Sequence, residues 1–136
     1  MELEDLANSM KELEVEENIE FYAHLTERAN GISINERGLE MEDSKLSSAA
    51  NPIDERFYSD PEYYVDYCLG SPQTRKKDLM VIIASYKDEI NSLVKNNSKG
   101  SYYIPSENIV GYVDIRDKYF VSNPNSDYSM DSYTLW

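Results

Sequence analysis

One cysteine, one histidine and one tryptophan in 136 residues leave little room for several kinds of chemistry. Cys68 has no second cysteine for an internal disulfide, which suits a reducing compartment, and one Cys with one His cannot make up the usual ligand set of a zinc site. A Cys–His nucleophile pair would need Cys68 and His24 in contact within electropositive surroundings that lower the thiol pKa, yet Glu62 and Asp66 beside Cys68 are acidic. No glycine loop has phosphate-cradling spacing, and no pair of carboxylates stands out for acid–base work. The expectation is a protein that is not an enzyme and uses no cofactor and no metal. Long apolar runs are missing too. The longest, Leu79 to Ala84, is far short of the ~20 residues a spanning helix needs, and the opening Met-Glu-Leu-Glu-Asp has no apolar signal segment. A cytoplasmic protein is expected, in the host cell if the source is viral.

Cations are scarce in the first half. Residues 1–66 hold 18 carboxylates against five Lys and Arg, which is the whole net charge of −13, while residues 67–136 hold eight of each sign. Such a field attracts a basic protein surface and repels nucleic acid and anionic membranes. The short cluster Arg75-Lys76-Lys77 is too small to reverse that preference.

Apolar residues Leu3, Leu6, Met10 and Leu13 recur at helical spacing. The set Val15, Ile19, Tyr22, Leu25 and Ala29 resumes it out of phase, so the pattern predicts one kinked helix or two short ones, stopping at Gly31. Residues 31–56, with Gly31, Gly38, Ser47-Ser48-Ala49-Ala50 and Pro52, read as a long connection. Asp60-Pro61-Glu62 is a helix start, with Asp as cap and Pro at the first helical position, and Gly70 is a stop. Ser71-Pro72 repeats the start signal, and Leu79, Ile82, Ile83, Tyr86, Ile90, Leu93 and Val94 mark one face of an expected central helix. After Gly100, the segments 101–104, 109–115 and 119–122 are rich in β-branched and aromatic residues, with Arg116-Asp117-Lys118 as a turn. The expected fold is α+β: a predominantly helical N-terminal two thirds packed with a small C-terminal antiparallel β-hairpin sheet. Residues 1–122 form one acidic domain and residues 123–136 a flexible or docked tail.

Two surfaces stand out as partner-binding. Glu12, Glu16 and Glu20 are spaced i, i+4, i+8, which on a helix stacks a carboxylate every ~6 Å, with Glu17 alongside. Each like-charge pair destabilises an isolated helix by roughly 0.2–0.5 kcal/mol, a cost that a basic groove covering the stripe would offset. That is the logic of nucleic-acid mimicry, and a solvated acidic face is the plainer alternative. The second surface is Tyr58, Tyr63 and Tyr64 interleaved with Asp60 and Glu62, part of a complement of 12 tyrosines. Rigid aromatics give contact area at small entropic cost while carboxylates select a basic partner. Tyr67 is expected in the core. The alternation Asn123, Asn125, Asp127, Ser129, Asp131 resembles the first ligands of a calcium loop, but Tyr128 stands where the turn glycine belongs and Thr134 where the bidentate Glu belongs.

These observations favour a non-enzymatic acidic inhibitor that occludes a basic surface of a nucleic-acid-binding protein, in a phage anti-defence or anti-CRISPR-like setting. The alternatives are a bacterial immunity protein that neutralises a basic toxin, or a self-assembling structural protein. The expected state is a monomer or homodimer, with no direct contact to nucleic acid or membrane.

Overall fold

A computed structural model of the chain describes residues 1–41, 51–69, 77–87, 89, 95–96, 102–128 and 130. Helix α1 (Leu3–Glu17) starts after the extended Glu2, with Glu4 and Asp5 in its first turn where the helix dipole favours anions. It ends where Asn18 takes a left-handed conformation, φ 56°, a geometry Asn tolerates better than most residues. The chain then runs directly into strand β1 (Ile19–Thr26), helix α2 (Arg28–Arg37) and strand β2 (Leu39–Met41). Strand β3 (Asn51–Pro52), helices α3 (Glu55–Ser59) and α4 (Pro61–Leu69) and strand β4 (Leu79–Tyr86) follow. The remaining described elements are β5 (Lys95–Asn96), β6 (Tyr102–Ile104), a 3-10 turn at Ser106–Asn108, β7 (Ile109–Asp114) and β8 (Tyr119–Ser122).

Five of these strands form one antiparallel sheet in the order β3-β1-β4-β7-β8, and β2, β6 and β5 form a second, three-stranded sheet. Alternation along β1 and β4 divides the core. Ile19, Phe21, Ala23, Met80, Ile82 and Ala84 pack with Leu3, Leu6 and Met10 of α1, Phe57 of α3 and Val65 of α4. Tyr22, Val81 and Ile83 face the other way, against Ile34 of α2, Leu39 of β2 and Ile104 of β6. Both faces of the main sheet are therefore covered. At the far edge, Met1 pairs with Phe120 through its carbonyl and Glu2 bridges Tyr119.

This architecture overturns the expected fold class. A five-stranded antiparallel sheet begins at Ile19 and runs through the chain, so the N-terminal two thirds are not predominantly helical and the sheet is not a C-terminal hairpin. The expected central helix at Leu79 is β4, the middle strand, whose residues Leu79 to Ala84 are completely buried. A central strand covered on both faces takes an unbroken apolar run, and over six residues such a run satisfies helix and strand templates alike. The expected helix over residues 15–29 fails for a related reason: Tyr22 and Leu25 keep helical spacing with Ile19 while also belonging to a strand buried on two sides. Gly31 lies inside α2, and the expected long connection holds part of α2 together with β2 and β3. The signals at Gly70 and Ser71-Pro72, the cations Arg75 and Lys76, the apolar positions Ile90, Leu93 and Val94, and the final Leu135-Trp136 lie outside the described residues. Among the described residues no helix is long and apolar enough to cross a membrane.

Local expectations match the structure at the start of α1, in the strand segments that become β6, β7 and β8, and at two further places. Asp60 accepts a hydrogen bond from the Tyr63 N–H at 3.1 Å and Pro61 opens α4. Residues 115–118 turn between β7 and β8, with Lys118 at φ 53°. The start of the expected tail is docked: Asn123 is buried, with its amide donating to the carbonyls of Ser106 and Ile109, and Met130 enters the core.

A tyrosine and carboxylate groove as the candidate functional site

The Asp54 to Tyr67 segment builds a surface by local rules. Asp54 caps α3 by accepting from the Arg56 N–H at 2.9 Å, and Asp60 caps α4, so two short helices follow each other with an aspartate at each start. Phe57 is wholly buried and anchors the pair. Its ring meets Tyr58 edge-on at 5.8 Å and Tyr64 edge-on at 5.6 Å, an arrangement that holds both tyrosines against the core, with the Tyr58 hydroxyl itself buried. Val65 points inward from α4, so Tyr63 and Tyr67, related by i, i+4, share its outer face at 68% and 71% exposure. Tyr67 is thus not in the core as expected, because the phase of α4 is set by Val65.

Tyr63, Tyr64 and Tyr67, with Asp54, Glu55, Asp60 and Arg56, line a groove of about 950 Å³ beside the edge strand β3. Pro52 of β3 carries no N–H, which blunts that edge against pairing with another strand and leaves side chains to do the recognition. Pro52 also lines an adjoining cleft of about 340 Å³ with Glu14, Glu20, Tyr22 and Lys87, so acidic surface continues from the groove toward the end of α1.

Cations of the chain itself already sit on this surface. Arg56 donates from Nε to both oxygens of Asp54 at 3.1 Å and from Nη2 to Oδ2 at 2.9 Å. The Arg56 guanidinium and its local N–H hold the Asp54 carboxyl below the ordinary carboxylate range. Lys11 of α1 lies 4.9 Å from the centre of the Tyr58 ring and pairs with Glu55 and, at 3.7 Å, with Glu14. Burial, followed by the neighbouring Glu14 and Glu55 carboxylates, pushes the Tyr58 hydroxyl well above the ordinary tyrosine value.

The sequence-derived residues are divided by the structure. Asp60, Tyr63 and Tyr64 line the groove, while Tyr58, Glu62 and Asp60 line a neighbouring cleft of about 370 Å³ against Glu4 and Asn8 of α1. Glu12, Glu16 and Glu17 are exposed on α1. Glu20 leaves the expected helical stack because the helix has ended at Asn18; it lies on β1, half-buried, and accepts from the Tyr22 hydroxyl at 2.8 Å. The regular ladder of carboxylates is therefore two rungs, Glu12 and Glu16. Arg56 was not singled out in the sequence; its legible signal is Asp54 two residues earlier, a helix cap that also reaches a side chain at the first turn.

His24 belongs to β1, whose alternation places it on the α2 side of the sheet, whereas α4, which carries Cys68, covers the opposite side. His24 lines a polar pocket of about 420 Å³ with Asn30, Ser33 and Arg37. In the calcium-like alternation, the Asn123 side-chain oxygen Oδ1 accepts from the Asn125 N–H at 3.1 Å, and Ser129 and Asp131 lie outside the described residues. Among the described residues no group of three or more His, Cys, Asp or Glu is placed to hold a metal ion. Comparison with protein families, with curated proteins and with solved structures finds no match to this chain.

Proposed function

We propose that this chain acts without chemistry of its own, as an acidic binding protein that occludes a basic surface on a nucleic-acid-binding protein. The supporting observation is the groove. Three tyrosines and three carboxylates converge there, all but Tyr67 from residues 1–66, which carry the entire net charge. Exposed tyrosines on a rigid two-helix platform supply contact area, and the carboxylates supply selectivity for a cationic partner. Glu12, Glu16 and Glu17, exposed on α1, act as steering charges, and the proposal does not rest on a continuous phosphate-like ladder. A viral inhibitor of a host nucleic-acid enzyme or defence nuclease is the setting that fits a small, acidic, occluding protein.

The test is affinity capture from a lysate of the organism in which the protein acts, comparing the parent with two variants. One carries Asp60→Asn, Tyr63→Ala and Tyr67→Ala; the other carries Glu12→Gln, Glu16→Gln and Glu17→Gln. The parent should retain one basic nucleic-acid-binding protein that the groove variant loses and the α1 variant keeps. With that partner purified, its association rate should fall about tenfold between roughly 50 mM and 300 mM salt, since rim charges act mainly on encounter. Equal capture by parent and groove variant, or an association rate indifferent to salt, would refute the proposal.

A further inference from the structure

We infer that the groove is a binding site for an arginine side chain of the partner, and that Arg56 occupies this site in the free protein as an internal competitor. The inference rests on the reading of the groove as the contact surface and names the group that enters it.

Two observations carry it. The lining offers three carboxylates, Asp54, Glu55 and Asp60, and three tyrosine side chains; of the chain's own cations, Arg56 pairs with Asp54 and Lys11 with Glu55. Planar guanidinium is the cation best suited to such a lining, because it pairs with carboxylate through a fork of N–H groups and stacks on aromatic faces, which a compact ammonium does less well. The second observation is that the chain's own guanidinium is held there. Arg56 reaches both oxygens of Asp54 with a side chain that is 76% exposed. An exposed ion pair contributes little to stability and yields readily to a competitor that brings further contacts. On the neighbouring surface a cation does lie between carboxylate and tyrosine ring: Lys11, paired with Glu55 and set over Tyr58.

On binding, the partner's arginine takes Asp54, with Asp60 and the Tyr63 and Tyr67 rings available around it, and Arg56 turns out to solvent. The backbone bond from the Arg56 N–H to Asp54 that caps α3 does not depend on the Arg56 side chain, so Arg56→Ala keeps the helix start. The consequence is unusual for a surface contact: removing a native side chain at the site strengthens binding.

Titration calorimetry of the full chain with oligoarginine and oligolysine peptides of equal length tests this, with circular dichroism confirming that each variant is folded. The parent should bind the arginine peptide more tightly, and Arg56→Ala should tighten that binding by about three- to tenfold by leaving Asp54 unpaired. Arg37→Ala makes the same change in net charge from the separate pocket beside His24 and should alter binding less than about twofold. Asp54→Asn, which can still cap α3, should weaken it. The inference is overturned if Arg56→Ala binds no more tightly than the parent, if Arg37→Ala gains as much, or if the lysine peptide binds equally well. Loss of the lysate partner by the groove variant alongside any of those results would leave the proposed function standing and remove only the arginine site.

Discussion

Asp114 joins the turn after β7 to the start of α2, and its removal has a calculable cost. The carboxylate is buried at the end of β7, where it accepts from Arg28 Nη2 at 2.6 Å and from the N–H groups of Arg116 and Asp117 at 3.1 Å each. Asp78 on the approach to β4 completes the cluster, accepting from the Arg28 N–H at 2.9 Å and pairing with the Arg28 guanidinium at 3.5 Å. Asp114→Ala loses one charge-assisted hydrogen bond, about 1.5–3 kcal/mol, and a turn cap comparable to a helix cap, about 1 kcal/mol. Arg28 and the turn stay accessible to water and recover part of that, so the expected loss is ~2–3 kcal/mol, or roughly 5–10 °C in Tm for a domain of this size. Burial alone would raise the Asp114 pKa, but the bonds from Asp117, Arg28 and Arg116 together outweigh it and hold the carboxyl below its ordinary value. A depressed pKa stabilises the fold above the unfolded value of about 3.9, and that stability is lost as pH falls through the lower folded value. Urea unfolding of the parent and Asp114→Asn at several pH values isolates the effect, because the other carboxylates titrate alike in both. The difference in midpoint should be full at neutral pH and vanish in acid below the folded pKa. An Asp114→Ala variant within ~0.5 kcal/mol of the parent, or an Asp114→Asn difference that stays constant with pH, would refute the reasoning.

Gly111, at φ 154°, sits where an added Cβ would lie 2.2 Å from the Val121 carbonyl oxygen and 2.7 Å from the Phe120 ring, so Gly111→Ala should cost ~2–5 kcal/mol in urea unfolding. An unchanged midpoint would mean that β7 and β8 are not packed this closely. Phe57→Ala should cost ~3–5 kcal/mol as a large core deletion, whereas Tyr67→Ala, on the same two-helix platform but exposed, should stay within ~0.5 kcal/mol; similar losses for both would contradict the placement of the groove. Glu12→Gln with Glu16→Gln removes one i, i+4 repulsion on α1 and should raise stability by roughly 0.2–0.5 kcal/mol at low salt, an increment that salt abolishes. A loss of stability there would show that the carboxylates already have partners.

The groove was half legible. Asp60-Pro61 announces a helix start to any reader of the chain, and tyrosines interleaved with carboxylates announce a contact surface. Which tyrosine faces out was not legible, because Tyr63, Tyr64 and Tyr67 occupy neighbouring positions on one turn and a half of helix, and only the packing of Val65 and Phe57 chooses among them. The role of Arg56 needed coordinates for the same reason: its partner is local, but its neighbours across the groove come from α4 and β3.

By its residue pattern alone the chain determined what depends on composition and on local backbone chemistry. The acidic first half, the start of α1, the capped start of α4 and the turn between β7 and β8 all follow from charge, caps and turn residues a few positions apart. The tertiary structure decided which apolar segments become strands. Leu79 to Ala84 is buried on both faces only because α1, α3 and α4 cover one side of the sheet and α2 with the second sheet covers the other. A fully enclosed segment has no polar face to reveal its period, so its conformation is set by the elements that enclose it.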